Sequence, residues 1–277
     1  MLNAAMKEVA SVVLAAGRGS RMTGYGGNKT LLPLVPAPGS LYEGGRPMLL
    51  EVLENLPPGP KGIVVNHCAG DVERAAAGFH PSFLLQPVTN GTGGALLAAR
   101  QFLESATQEA VVITMGDVPL IRPDTYRSLI RLLENNVLAV LGFLPEDRAQ
   151  YGLLEMDGDR VLRIVEWKYW KDYPTERRAA LGHCNAGVYA ARRPELLRYL
   201  DRFAGQPHRV WKQRGDEWVT IEEYFLTDLV ELMGGDGLPT GMAPASEEEV
   251  AGVDTPESLR RVQERFARLS KSRLNDR

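Results

Sequence analysis

Four short stretches of this chain carry residue types suited to polyphosphate chemistry. In VASVVLAAGRGSRM, from Val9 to Met22, an apolar run breaks into a loop. Gly17 and Gly19 can bare backbone amides there, Arg18 and Arg21 add guanidinium forks, and Lys29 follows. Amide donors and cationic forks at a strand end are what a polyphosphate needs. The second stretch is Gln86 followed by Asn90-Gly91-Thr92-Gly93-Gly94, where an amide could read a nucleobase edge while bare glycine backbone lets the base lie flat. The third and fourth are single carboxylates, Asp117 in ITMGDVPL and Asp254 in GVDTP. Brought together, two carboxylates form a magnesium site, because that ion favours a few carboxylates plus phosphate oxygens and water. Each stretch also has an ordinary structural role open to it. The glycine loop suits a plain strand-to-helix turn, Asp117 the end of a strand, and Asp254 with Thr255 a cap on the last helix.

Two familiar phosphate motifs are excluded by inspection. A dinucleotide fingerprint needs a small residue three positions after Gly19, where Met22 stands. A Walker-type loop needs glycine directly before the lysine, and Asn28 precedes Lys29.

The elements that must position these groups read as alternating strands and helices. The apolar run up to Ala16 predicts a buried strand of a parallel sheet. Further strands are expected at Gly62 to Asn66, Phe83 to Gln86, Ala110 to Met115 and Val137 to Phe143. Helices are expected at Met48 to Leu56, Asp71 to Phe79, Thr92 to Leu103 and Pro123 to Glu134, the last begun by proline. The pattern predicts an α/β fold, a mainly parallel mixed sheet with helices on both faces, whose ligands sit beyond the carboxyl ends of the strands. Tyr151 to Met156 and Val161 to Glu166 flank Asp157-Gly158-Asp159, a hairpin signal. With the polar Trp167 to Arg178 stretch and a strand near Val188 to Ala191, they read as a small β-rich excursion that shapes a second-substrate pocket. A nucleotide-binding half is expected over about residues 1–145, an acceptor half over about 146–255, and a final amphipathic helix over about 255–272, where Leu259, Val262, Phe266 and Leu269 recur at helical spacing. The loop from Thr23 to Pro47 is long and rich in glycine and proline.

Composition narrows the class. A chain of 277 residues, 44% hydrophobic and 24% charged, can bury a full α/β core. A net charge of -3 gives no general pull toward nucleic acid or anionic membrane. No apolar run approaches the roughly 20 residues that cross a bilayer, and no signal segment precedes Glu8. Cys68 and Cys184 are far apart without metal-ligand spacing and read as reduced thiols, so a cytoplasmic location is expected.

In their order along the chain, LAAGRGSRM, NKTLLPL, GTGGAL, MGDVPLI, YGLL, IVEWK, CNAGVY and FLTDLV resemble the sugar-phosphate nucleotidyltransferases, above all the uridyltransferase domain of bacterial N-acetylglucosamine-1-phosphate uridyltransferases. The resemblance runs from about Val9 to Asp254. It implies a nucleotide-diphospho-sugar transferase fold, and magnesium-dependent transfer of a nucleotidyl group from UTP onto N-acetylglucosamine 1-phosphate for envelope polysaccharide synthesis. Leu14, Ala15, Ala16 and Gly17 resemble the segment that holds the nucleotide, and Gln86, Gly91 and Thr92 the uracil-reading positions. Arg18 resembles the catalytic arginine over the triphosphate and Lys29 the phosphate-binding lysine. Asp117 matches one magnesium ligand, and Asp254 falls where the family often has asparagine as the other. Gly152, Glu166 and Asn185 match the amino-sugar contacts. The long 23–47 loop, the GVDTPESL ending, Met115 and the Trp167 and Trp170 pair depart from the family pattern. A cytidylyl- or guanylyltransferase acting on another phosphorylated or pterin-type acceptor is therefore the second reading, and a non-catalytic nucleotide-sugar binder the third. No hexapeptide-repeat domain of the two-domain enzymes is expected, nor the acetyl transfer and the trimer it builds.

Overall fold

The computed structural model describes residues 8–214 and 217–275. Thirteen strands are found there, named in chain order. They are β1 Ala10–Leu14, β2 Pro33–Pro36, β3 Gly44–Pro47, β4 Lys61–Val65, β5 Ser82–Leu85, β6 Ala110–Met115, β7 Leu138–Phe143, β8 Leu153–Asp157, β9 Arg160–Val165, β10 Cys184–Arg192, β11 His208–Arg214, β12 Glu217–Glu223 and β13 Thr240–Ala245. Nine of them form one sheet in the order β5-β4-β1-β6-β10-β7-β13-β9-β8.

The apolar strands lie where their composition sends them. β1 and β7 are buried along their whole length, as strands covered on both faces must be. One core layer packs Val13, Leu49, Val52, Ile63 and Tyr126 on one face of the sheet. The other packs Val12, Leu96, Phe102, Leu196 and Phe203 on the opposite face. Each such side chain contributes about 1.5–3 kcal/mol by leaving water.

β5, β4, β1 and β6 pair in parallel, as does β13 with β7. β10 breaks the pattern, running antiparallel between β6 and β7. The strand expected near Val188 to Ala191 thus belongs to the centre of the main sheet, because Val188, Tyr189, Ala190 and Ala191 are apolar enough to be covered on both faces. The β8–β9 hairpin forms as its Asp-Gly turn predicts and closes the sheet edge. The polar stretch after it coils into two short helices, Trp167–Trp170 and Thr175–Ala180.

The long loop is not structureless. Lys29–Leu31 forms a 3-10 turn, and β2 and β3 pair antiparallel. This hairpin lies on the last helix, Pro256–Asn275, where Gln263 Nε2 donates to the Pro33 and Leu41 carbonyls at 2.8 and 3.0 Å. Met22, Leu32, Leu34, Val253, Leu259 and Val262 form a third apolar cluster beneath it. That cluster joins the arginine loop to the segment carrying Asp254.

Candidate active site

The carboxyl ends of β1, β4, β5 and β6 lie along one edge of the sheet, and the parallel register puts the polar groups of their loops side by side. A cavity of about 230 Å³ opens there. Leu14, Ala15, Ala16 and Gly17 line it from β1, Gln86, Gly91 and Thr92 from the loop after β5, and Lys29 and Asp117 complete it. A larger hollow of about 520 Å³ lies between the β2–β3 hairpin and the last helix, but none of these strand-end groups reaches it.

Lys29 is the electrostatic centre. Its ammonium contacts the Asp117 carboxylate and also Asp254 Oδ1 at 2.6 Å. Arg21 Nη2 reaches the other oxygen of Asp254 at 3.2 Å. Burial opposes the charge on Lys29, yet the two carboxylates outweigh it and raise the ammonium above its ordinary range. Burial likewise pushes the Asp254 carboxyl up, but Lys29 and Arg21 overcome this and hold it below the usual carboxylate range. The two expected metal ligands, 137 positions apart in number, thus meet on one cation. Paired hard oxygens of this kind suit magnesium, which takes one or two protein carboxylates beside phosphates and water. Among the described residues no group of three or more histidines, cysteines and carboxylates gathers as a metal site.

Asn28 holds this centre in place, a role that the sequence reading missed. It is fully buried. Its Nδ2 donates to the Ala15 and His67 carbonyls at 2.9 Å each, tying the ends of β1 and β4 together. Its Oδ1 accepts from Thr30 N and Thr30 Oγ1 at 3.0 and 2.8 Å. Lys29 therefore leaves a backbone pinned on both sides. Gly19, at φ 61°, lets the arginine loop turn back against the Lys29 stem, where a Cβ would come within 3.2 Å of Lys29 Cβ. The two arginines part company here. Arg21 engages Asp254, whereas Arg18 is exposed next to Gly17 and makes no hydrogen bond or ion pair among the described residues.

In the same cavity as Lys29, Gln86, expected to read the base, is buried, and its Nε2 donates to Asn90 Oδ1 at 3.1 Å and the Gly91 carbonyl at 3.3 Å. Its backbone carbonyl accepts from Asn66 Nδ2 at 2.7 Å. With its nitrogen committed, the amide keeps its oxygen for a ligand. Gly91 sits at φ 95°, and a Cβ there would lie 2.3 Å from the Tyr224 carbonyl, so only glycine fits.

Gly152, Glu166 and Asn185 form a second group beside the cavity. Asn185 N donates to the Gly152 carbonyl at 2.8 Å, and a Cβ on Gly152 would stand 3.7 Å from Glu166 Oε1. Asn185 already spends part of its amide on its own strand, donating to Tyr189 Oη at 2.8 Å and accepting from Gly187 N at 2.9 Å. Glu166 opens on a hollow of about 530 Å³ with Lys168, Tyr169, His208 and Phe225. Burial pushes its carboxyl up, only partly offset by the Thr227 hydroxyl that donates to Oε1 at 2.8 Å.

The segment from Tyr224 to Thr227 couples the two groups. Gly93 N donates to the Tyr224 carbonyl at 2.9 Å, Leu226 N to Thr92 Oγ1 at 3.2 Å, and Thr227 then reaches Glu166. FLTDLV carried this signal in the sequence, although no role had been attached to its residues. Cys68 and Cys184 are both free thiols. No helix among the described residues is long and apolar enough to cross a membrane.

The chain is 33% identical over 269 residues to the bifunctional protein GlmU of Cereibacter sphaeroides, covering 95% of this chain and 53% of that one. It is 37% identical over 251 residues to GlmU of Azorhizobium caulinodans, covering 88% and 50%. The chain thus spans about half the length of these relatives. A CMP:2-keto-3-deoxy-manno-octonic acid synthetase complexed with CTP shares the nucleotidyltransferase fold, with a TM-score of 0.61 at 18% identity over 94% of this chain and 99% of that one. A family model matches residues 11–215, from the first strand through the arginine loop, Lys29, the glycines after Asn90 and Asp117 to Asn185 and beyond, so the chain belongs to the MobA-like NTP transferase domain family.

Proposed function

We propose that this nucleotidyltransferase moves a uridylyl group from UTP onto N-acetylglucosamine 1-phosphate and releases pyrophosphate. The observation that carries the reading is Lys29 engaging Asp117 and Asp254 together at the mouth of the strand-end cavity. In the reaction an oxygen of the sugar phosphate attacks the α-phosphorus in line, and the bond from that phosphorus to the pyrophosphate oxygen breaks. The nucleophile is already an anion, so no general base is required. The barrier is repulsion between anions, and positioning with neutralisation lowers it. Asp117 and Asp254 would hold magnesium, which supplies Lewis-acid polarisation of phosphate oxygens when bound. Lys29 neutralises charge on the transferring phosphate, and Arg18 neutralises charge growing on pyrophosphate.

Uracil is favoured by the Gln86 amide. With Nε2 bonded to Asn90 and Gly91, the remaining oxygen accepts, and uracil offers an N3–H to it. Cytosine presents an acceptor at N3 and would set oxygen against a lone pair. A pyrophosphate-release grid of four nucleoside triphosphates against a panel of sugar 1-phosphates, with magnesium, tests this. Release confined to UTP and N-acetylglucosamine 1-phosphate supports it. Release with CTP keeps the chemistry and discards the base assignment, and silence across the grid overturns the sugar 1-phosphate acceptor.

The two arginines separate in the same assay. Arg18→Ala should lower kcat by about 10²-fold with its magnesium requirement unchanged, the scale of losing one charge-stabilising donor. Arg21→Ala should instead raise the magnesium concentration giving half-maximal rate, because Asp254 loses the guanidinium that orients it. A larger kcat loss in Arg21→Ala than in Arg18→Ala would move the triphosphate role to Arg21.

Glu166→Gln should raise KM for the sugar phosphate about tenfold while changing kcat less, as expected for one charge-assisted hydrogen bond to a sugar hydroxyl. The stability effect runs the other way. A carboxyl raised by burial above its ordinary 4.5 favours folding only while protonated, and that contribution is lost as pH rises through the folded value. The variant should therefore gain thermal stability over wild type at pH 8 and lose that gain at pH 4. A variant equally destabilised at both would contradict the assignment.

A further inference from the structure

The ribbon β11–β12 pairs with no other strand among the described residues. Its side chains sort by parity, as a strand pair with one covered face must. His208, Val210, Val219, Ile221 and Glu223 are half-buried toward the body, whereas Arg209, Trp211, Trp218, Thr220 and Glu222 are exposed. The register sets Arg209 opposite Glu222, Trp211 opposite Thr220, and Gln213 opposite Trp218. The exposed residues therefore share one face. Trp211 is 68% exposed and Trp218 62%, so two of the four tryptophans of the chain stand in water on one surface. Scattered apolar residues need no explanation, but two neighbouring indoles forfeit a large burial. A two-stranded ribbon is also marginal in water without cover.

We infer that this face pairs with the same face of a second copy of the chain. The argument is its charge pattern. A two-fold axis running along the strands lays β11 of one copy over β12 of the other. Each residue then meets the copy of its own cross-strand neighbour, so Arg209 lies over a Glu222 and Trp211 over a Thr220, in both directions. Each Trp211 falls about two residues, roughly 7 Å, along the strand from a Trp218 of the facing ribbon, and the four indoles interleave. The other in-plane two-fold stacks β11 on β11 and parts Arg209 from Glu222. Within one copy no ion pair joins Arg209 to Glu222 among the described residues, which leaves both charges available to the facing ribbon. The ribbon is also firmly based. His208 Nε2 lies 2.8 Å from Asp228 Oδ2, the His208 ring sits 4.8 Å from that of Phe225, and Tyr224 N donates to the Asn90 carbonyl at 2.9 Å. Strands of seven residues are about 24 Å long, so the paired faces are small beside the roughly 1,600 Å² of a standard interface. The dimer is accordingly a weak one that depends on concentration.

Sedimentation of the full chain between about 1 and 200 µM, the range a small interface calls for, should show the average mass rising from one chain toward two. Trp211→Ser with Trp218→Ser should abolish the rise while circular dichroism and the thermal midpoint confirm a folded chain. Arg209→Glu or Glu222→Arg alone should weaken association about tenfold, and the two combined in one chain should restore it. This swap decides the matter should the tryptophan variant fail to fold. A chain that stays monomeric throughout overturns the inference, as does a dimer indifferent to both sets of variants. Binding of the monomer to phosphatidylglycerol vesicles through the tryptophans, without self-association, would overturn it in favour of a membrane surface.

Discussion

Replacing Lys29 by alanine should reduce turnover by about 10²–10³-fold, the loss expected when a charge-stabilising group is removed from a preorganised site. The same substitution should cost stability, because it leaves Asp117 and Asp254 facing each other without their shared cation. Breaking the largely buried Lys29–Asp117 pair costs about 3 kcal/mol. Asp254 is nearly half exposed and adds little to that, since water screens it. The pH dependence follows from the directions of the shifts. The raised Lys29 value contributes stability at pH below its unfolded value and loses it only in strong alkali. The depressed Asp254 value contributes stability above its unfolded value and loses it as pH falls through the folded one. The Asp254 share of the gap in thermal midpoint between wild type and Lys29→Ala, the smaller share, should therefore be full at pH 7 and fade below about pH 4. Turnover within threefold of wild type would remove Lys29 from the chemistry, and a pH-independent gap would remove Asp254 from its role.

Asn28→Ala is expected to have the largest effect on folding. It strips partners from the Ala15 and His67 carbonyls and from the Thr30 amide and hydroxyl, all around a fully buried side chain. Leaving buried polar groups unsatisfied costs about 1–3 kcal/mol each, and partial relaxation brings the expected total to about 3 kcal/mol. For a chain of this size that corresponds to a fall of roughly 6–12 °C in Tm. Turnover should fall too, since Lys29 loses the backbone that aims it. Asn28→Asp sharpens the test. It keeps the acceptor for Thr30 but turns an oxygen toward two carbonyl oxygens, so it should be at least as damaging as alanine. An aspartate variant of wild-type stability would show that the clamp is not formed as described.

The acceptor side shows how the parts communicate. Thr92 opens the helix that follows β5 and Glu166 follows β9, yet both are fastened to the segment from Tyr224 to Thr227. Any shift of the loop proposed to read the base is therefore passed to the carboxylate proposed to meet the sugar. The two groups of residues are joined by three backbone and hydroxyl contacts rather than by a flexible link.

Much of this was written locally in the chain. The run into Gly17, the helix opened by Pro123, the Asp-Gly hairpin and the strand ending at Met115, just before Asp117, follow from periodicity, φ preferences and burial, which are properties of a few consecutive residues. So does the list of groups able to handle phosphate. Elements whose stability comes from partners were illegible. β13 is TGMAPA, poor in strand formers, and exists because β7 pairs along its whole length. β10 reads as one more strand, but only the sheet order inserts it antiparallel between β6 and β7. Asn28 looked like a residue that merely spoiled a Walker motif, since its partners lie 13 and 39 positions away. Sequence by itself determined which side chains could do the chemistry and which segments could be strands. Only the tertiary structure decided that Asp254 meets Lys29, 225 positions away, and that Arg21 rather than Arg18 meets Asp254, because an ion pair depends on a few ångströms of separation that strand order and the packing of the last helix alone supply.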